Sequence, residues 1–314
     1  MDDARLKANY NDIYHAIHPS NFTGKLTGKV VLVTGAGRGI GRATAVAFAK
    51  AGADVACTSR TKAELEETAK LCEAEGVKAL VCPADATNEE AVEQVVKTVE
   101  AKLGPIEILV NNAGVNRLRP FRMTAWKEWW SVVDINLKSP MHLVSLVLPG
   151  MIKRKSGTIV NVASRAGVQS RPFASSYTHT GLIRATACIQ TELDMDADGV
   201  SPVALFSLHP GGPKTKMNEG LVEPDVDSEY PGMAGRVQAF VDIQKDTVDL
   251  CAGTCVFLAA DPRSRGMRGR YFDVEQDVEA VCEHAQEVVE MGGHDLKLDM
   301  IGGWEPEQPL PERH

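Results

Sequence analysis

The chain contains no apolar run approaching the roughly 20 residues that a helix needs to cross a bilayer. Its N-terminal stretch, MDDARLKANYNDIYHAIHPSNF, lacks the apolar core of a secretory signal. A soluble, cytoplasmic protein with no membrane partner is the expectation. Positive charge is not in surplus either: 34 Lys+Arg stand against 42 Asp+Glu, a formal net charge of -8. That balance argues against bulk attraction to nucleic acid or an anionic membrane and points to a small-molecule substrate. Cysteine is scattered and odd in number, at 57, 72, 82, 188, 251, 255 and 282, which is no disulfide framework. Cys251 and Cys255 lie one helical turn apart, but no second Cys or His pair accompanies them, so buried packing is expected and no metal site. Internal repeats and low-complexity tracts are missing too.

What is present is an alternation of short β-rich runs with longer amphipathic stretches, the pattern of a parallel sheet covered by helices. At 314 residues and 44% hydrophobic, one domain with appendages is expected. KVVLVTG, ADVACTSR, KALVCPAD, IEILVNNAG, GTIVNVAS, VALFSLHPG and a short RGRYFDV read as strands. GRATAVAFAKAG, KAELEETAKLCEAEG, EEAVEQVVKTVEAKLG, residues 177–195 and TVDLCAGTCVFLAAD read as helices between them. Residues 125–155 form one long helix with a break expected near Pro140. Glycines and prolines crowd 210–235, which reads as a mobile loop.

The first strand runs into TGAGRGIG, where Gly35, Gly39 and Gly41 precede an alanine-rich helix with Arg38 and Ile40 between them. Glycines there permit a tight turn, close approach of a pyrophosphate, and packing of helix on strand, with the phosphate at the helix N-terminus. The end of the second strand reports the preferred dinucleotide. A ribose 2′-hydroxyl calls for a carboxylate about 20 residues after the glycines, and a 2′-phosphate for arginine. The strand ends in Thr58, Ser59 and Arg60, and Arg38 stands in the glycine turn, so NADP(H) is expected over NAD(H).

With PAD ending at Asp85, NNAG at 111–114, DINLKS with Asn136, IVNVASRAG with Ser164, Tyr177 and HPGGPKT at 209–215 in the same order, residues 28–274 resemble the short-chain dehydrogenase/reductase family. The resemblance implies an α/β fold, a Rossmann-type doubly wound parallel sheet of about seven strands flanked by helices, and a homodimer or homotetramer built through the long helices. It implies that Asp85 contacts the adenine, that Asn111, Ala113 and Gly114 line the cofactor, and that Pro210, Gly211 and Thr215 border the nicotinamide. Asn136, Ser164 and Tyr177 are implied as members of a catalytic tetrad. Fungal members, whose C-terminal segment extends past the last strand, look most similar. The chemistry suits these residue types. Hydride reduction of a carbonyl leaves charge developing on oxygen, a tyrosine hydroxyl supplies the proton, and a serine hydroxyl holds the same oxygen.

The family's fourth member, a lysine four residues after the tyrosine, is missing: Gly181 stands there. The downstream Glu192–Leu193 pair follows Tyr177 by two residues fewer than the family pattern, so the lysine reads as deleted. Either Tyr177 is displaced, or the helix starts differently and absorbs the loss. A tyrosine of pKa about 10 is only ~0.1% phenolate at neutral pH, a poor base but a ready acid, so carbonyl reduction is expected to survive better than alcohol oxidation. His179 and Arg184 are candidate substitutes.

The function expected is NADP(H)-dependent reduction of a ketone or aldehyde on a hydrophobic small molecule. A non-redox catalyst on the same scaffold and a silent nucleotide-binding protein are the alternatives. Residues 1–27 are expected as an N-terminal arm, and 275–314 as a helical extension and tail. The 212–235 stretch, with Met217, Leu221, Val222, Tyr230 and Met233, is a substrate lid by resemblance.

Overall fold

The structure is a computed structural model and describes residues 3–177 and 179–296. Its frame is a sheet of seven parallel strands in the order β3-β2-β1-β4-β5-β6-β7. The strands are β1 (Val30–Thr34), β2 (Asp54–Ser59), β3 (Ala79–Pro83), β4 (Ile106–Asn111), β5 (Gly157–Val162), β6 (Val203–His209) and β7 (Tyr271–Asp273). The helices in chain order are α1 (Gly39–Lys50), α2 (Lys62–Glu73), α3 (Glu89–Lys102), α4 (Trp126–Val133), α5 (Ser139–Arg154), α6 (His179–Asp196), α7 (Pro224–Glu229), α8 (Met233–Asp242), α9 (Val248–Ala260), α10 (Val278–Glu283) and α11 (Ala285–Glu290).

β1 is apolar on both faces because alternate residues feed two cores. Val31 and Val33 pack with α1 and α9 on one side, while Val30 and Leu32 meet Val95, Val99, Val147 and Met151 of α3 and α5 on the other. That double burial is what a covered parallel sheet demands. The chain crosses from one face to the other between β1 and β4, so a crevice opens at the carboxyl ends of these two strands, where ligands of such sheets bind.

Three regions differ from the expectations. The break in the long helix falls on a π-helical turn, Asp134–Lys138, ahead of Pro140. Pro140 sits in the first turn of α5, where its missing N–H costs nothing. The stretch expected as a mobile loop contains α7 and α8. Pro224 and the acids Asp225 and Asp227 favour the start of α7, and Gly232, at φ 80°, turns the chain into α8. Among the described residues the extension beyond β7 has two short helices, α10 and α11, that break at His284, and the expected tail from 297 lies outside them.

The N-terminal segment contributes Tyr14, Ile17, Phe22 and Leu26 to the same core as α1 and α9. A Cβ on Gly253 would lie 2.9 Å from the Ile17 carbonyl oxygen, so glycine in α9 is what lets this segment approach. Cys251 and Cys255 are buried in α9, and Cys57, Cys72, Cys82 and Cys282 are buried elsewhere. Phe22 is fully enclosed and meets Phe257 edge-on, ring centroids 6.2 Å apart. Phe22→Ala is therefore expected to destabilise the whole domain by about 3–5 kcal/mol; a urea unfolding midpoint close to that of the unaltered protein would show that the segment packs only loosely.

Candidate active site

The crevice begins with the glycine turn after β1. Gly35 and Gly39 have φ of 65° and 54°, where a side chain is disfavoured. A Cβ on Gly41 would lie 2.2 Å from the Gly35 carbonyl oxygen and 2.6 Å from Asn112 Nδ2. The turn is tied to β4: Thr34 Oγ1 accepts from the backbone N–H groups of Asn112 and Ala113, both at 2.9 Å, and Asn112 Nδ2 donates to the Thr34 carbonyl at 2.9 Å. Arg42 closes it from below, donating to the Gly37 carbonyl from Nε at 3.0 Å and Nη2 at 2.6 Å. Ile40 leans on the core beneath, and the methyl group of Thr215 would lie 3.3 Å from a Cβ on Gly39. Thr34 and Arg42 were not singled out from the sequence, whereas Asn112 lies in the NNAG run expected to line the cofactor. Asn111 points away, donating to Asn161 Oδ1 at 2.8 Å inside the protein.

At the end of β2, the Ser59 hydroxyl is buried without a hydrogen-bond partner, an orphan beside the glycine turn. Arg60 is exposed, and Arg38 reaches across to Glu64 of α2 at 3.2 Å. Asp85 accepts from the Thr87 N–H at 2.9 Å and its hydroxyl at 2.8 Å. These bonds, helped by the positive charge of Arg60, hold its carboxyl below the usual range. A glycine cradle that any Cβ would fill, a helix N-terminus and an orphaned hydroxyl fit the adenosine diphosphate half of a dinucleotide.

Farther along the crevice, Ser164 and Tyr177 meet. Ser164 follows β5 and its Oγ accepts from the Ala166 N–H at 3.2 Å, while Tyr177 precedes α6, whose start is tied to the segment after Ser164 by Thr180 Oγ1 donating to the Gly167 carbonyl at 2.6 Å, and lies near enough to Ser164 for that hydroxyl to favour its phenolate. α6 begins at His179, so Tyr177 lies ahead of the helix. Burial raises the Tyr177 phenol above its ordinary 10, opposed by the Ser164 bond and by the charge of Arg171. Asn136, in the π-helical turn, donates to the Val115 carbonyl at 2.9 Å and accepts from its N–H at 3.0 Å, so it braces the irregular segment that follows Gly114.

Gly181 faces Leu137, whose Cδ2 would lie 3.1 Å from an added Cβ. Arg184 is engaged elsewhere, with Asp295 at 3.4 Å and the Leu296 carbonyl. His179 stands edge-on to Tyr177, centroids 4.2 Å apart, with both ring nitrogens buried and unpartnered. Burial pulls its pKa down to about 4, and the same cause brings His209 to about 4. His209, Asp273 and Glu275 gather as a metal site would, but Arg165 binds both carboxylates, at 2.5 and 2.7 Å.

The chain after Pro210 is fixed by a residue the sequence reading missed: Asp246 accepts from the Gly212 N–H at 2.5 Å and would lie 2.8 Å from a Cβ on Gly211. The helical segment beyond closes over the crevice through charge. Arg119 binds Glu223 at 2.8 Å and Asp225 at 2.6 Å, and Arg122 pairs with Glu229. Phe173 packs on Tyr230 at 4.9 Å, and the end of Met217 lies about one contact distance from Gly114.

A model of the short chain dehydrogenase family matches residues 29–225. A short chain dehydrogenase of Pseudocercospora fijiensis is 35% identical over 278 residues, covering 88% of this chain and 89% of that one. The short chain dehydrogenase citE of Monascus ruber is 33% identical over 304 residues, covering 94% and 96%. The 3-oxoacyl-[acyl-carrier-protein] reductase of Thermotoga maritima is 37% identical over 203 residues, 63% of this chain and 80% of its own. Among solved structures, one from Sinorhizobium meliloti named for short-chain alcohol dehydrogenases superposes with a TM-score of 0.69 at 30% identity, covering 81% of this chain and 98% of that one.

The two histidines set a pH dependence. Their folded-state pKa of about 4 lies below the ordinary 6.5, so the unfolded chain takes up protons first on acidification. The stability they contribute is present above pH 6.5 and is lost as pH falls toward 4. His179→Leu is expected to make that loss shallower by about one proton, ~1.4 kcal/mol per pH unit. Urea midpoints of the two proteins between neutral and mildly acidic pH check this, and parallel curves would contradict it.

Proposed function

The chain belongs to the short-chain dehydrogenase family, oxidoreductases that bind a nicotinamide dinucleotide, and from that membership we propose that it reduces a ketone or aldehyde of a hydrophobic small molecule with NADPH. The observation that carries this reading is the meeting of Tyr177 with Ser164 in the crevice that starts at the glycine turn. The bound dinucleotide supplies the hydride. Ser164 holds the carbonyl oxygen through its hydroxyl, and the Tyr177 phenol, protonated across neutral pH because burial raises its pKa, donates the proton to that oxygen. Gly35, Gly39 and Gly41 would admit the pyrophosphate, while Arg38, Ser59 and Arg60 would hold the 2′-phosphate. Asp85 serves the adenine side, and Ala113, Gly114, Pro210, Gly211 and Thr215 line the remainder.

The substrate class rests on Met217, Phe173 and Tyr230, which put apolar surface over the reacting end. A homodimer or homotetramer in the cytoplasm is part of this reading; Phe121, just ahead of α4, and the edge-on pair Trp126 and Trp130 on α4 leave an aromatic patch exposed that a second copy would cover. With Gly181 in place of the lysine, the dinucleotide loses a ribose contact and Tyr177 loses its cationic neighbour; Arg171 is the positive charge that remains near the phenol.

The raised phenol pKa keeps the proton donor loaded at neutral pH. Reduction of 3-oxoacyl thioesters and of aryl ketones by NADPH is expected at neutral pH, and Tyr177→Phe should lower kcat by about 10²–10⁴. Oxidation of the corresponding alcohols requires the phenolate and should rise with pH beyond pH 10. Initial rates followed by NADPH absorbance decide this. Equal activity of Tyr177→Phe would remove the phenol from the reaction, and product formed without NADPH consumption would favour non-redox chemistry on this scaffold.

A further inference from the structure

The NADPH reading leaves one charged group near the end of β2 unexplained. Glu64, in the first turn of α2, sends its carboxylate toward the glycine turn: Oε2 lies 3.0 Å from the position a Cβ would take on Gly37. Ser59 Oγ lies 3.0 Å from that same position, and Glu64 Oε1 binds Arg38 Nη1 at 3.2 Å. Ser59 and Glu64 therefore close directly on the turn at Gly37, where a side chain would be crowded, and Glu64 holds Arg38 at their edge. The Ser59 hydroxyl is buried there with no partner of its own, a polar group left unsatisfied beside the ion pair.

The position of Glu64 is held by more than its ion pair. Its backbone carbonyl accepts from Thr68 Oγ1 at 3.1 Å and from Arg42 Nη2 at 3.3 Å. The same Thr68 hydroxyl lies 2.8 Å from the Ala36 carbonyl, and the same Arg42 lies 2.6 Å from that of Gly37. The backbone of α2 is thus tied to the glycine turn, and only the Glu64 side chain is left to move. An acid in a first helical turn is common, because it faces the positive end of the helix dipole. Here the carboxylate also neutralises an arginine on another element, beside an orphaned hydroxyl, and the dipole does not require that.

We propose that Glu64 is a specificity-determining residue that competes with the cofactor's 2′-phosphate for Arg38 and so tempers the preference for NADPH over NADH. The inference rests on the NADP(H) reading given above. A 2′-phosphate brings up to two negative charges to a place where one carboxylate already sits. Like charges at such separations repel even under solvent screening, so the Glu64 side chain must swing out before Arg38 can turn to the phosphate. NADH, with a neutral 2′-hydroxyl, meets neither the repulsion nor the need to break the ion pair.

The test is calorimetric titration of the full chain with NADPH and with NADH, in the unaltered protein and in Glu64→Gln, Glu64→Asp and Arg38→Ala, with thermal unfolding as a control for folding. Glu64→Gln keeps the shape and removes the charge. It is expected to tighten NADPH binding about five- to tenfold, less at high salt, and to change NADH binding by less than about twofold. Glu64→Asp, which keeps the charge, should stay near the unaltered protein, and Arg38→Ala should weaken NADPH alone. If Glu64→Gln instead weakens NADH and leaves NADPH unchanged, Glu64 is an acceptor for the ribose 2′-hydroxyl and the proposal is overturned. No change with either nucleotide overturns it as well, leaving Glu64 an ordinary first-turn acid. The NADP(H) reading fails separately, if Arg38→Ala binds NADPH as well as the unaltered protein does. Binding of neither nucleotide by any of the four proteins overturns both.

Discussion

The Thr34 hydroxyl, accepting from two successive backbone N–H groups at the end of β4, is the contact on which the site depends. It joins the carboxyl ends of the two strands between which the chain changes face, and Asn112 returns the bond to the Thr34 carbonyl. A buried backbone donor left without such a partner is costly, so these bonds hold both strand ends at one height. The glycine turn can then pass between them only because Gly35 and Gly41 carry no side chain, and the N-terminus of α1 is thereby aimed into the crevice. Without this tie, the turn would have no fixed relation to Ser164 and Tyr177, which arrive from β5 and the start of α6.

The start of α6 is set by the contacts of its later turns. α6 keeps its lower turns in place because Thr186 is bonded to Asn161 at 2.9 Å and Gln190 to the backbone of β6, accepting from the Leu205 N–H at 2.8 Å. Leu182 and Ile183 are buried against Ala163. Sliding the whole helix would break all of these contacts. Beginning it later costs only a few backbone bonds at an end that frays readily. Tyr177 therefore stays beside Ser164 although it has left the helix, while the position that would bear a cation in the family's pattern turns to Leu137. Proton donation depends on the first of these facts; support for a phenolate depends on the second.

Charge pairs organise the parts that the sheet does not reach. Arg119 and Arg122 hold the segment around α7 over the crevice, and Arg165 ties the end of β5 to residues just past β7. Such partly exposed pairs are individually weak. They specify where a segment lies more than how stably the domain folds, which is suited to a cover that must admit substrate.

The sequence by itself determined the strand and helix order, the doubly covered sheet, the glycine turn and the pairing of Ser164 with Tyr177, because each is written in a short-range pattern: alternation, helical period, or motif spacing. It also placed Gly181 four residues after Tyr177. What it left open was decided by contacts between residues far apart in the chain. These include the start of α6 at His179, the packing of Phe22 on Phe257, the diversion of Arg184 to Asp295, and the placing of Glu64 beside Arg38. A side chain's partner across the fold depends on how separate elements pack, and no periodicity within one element encodes it.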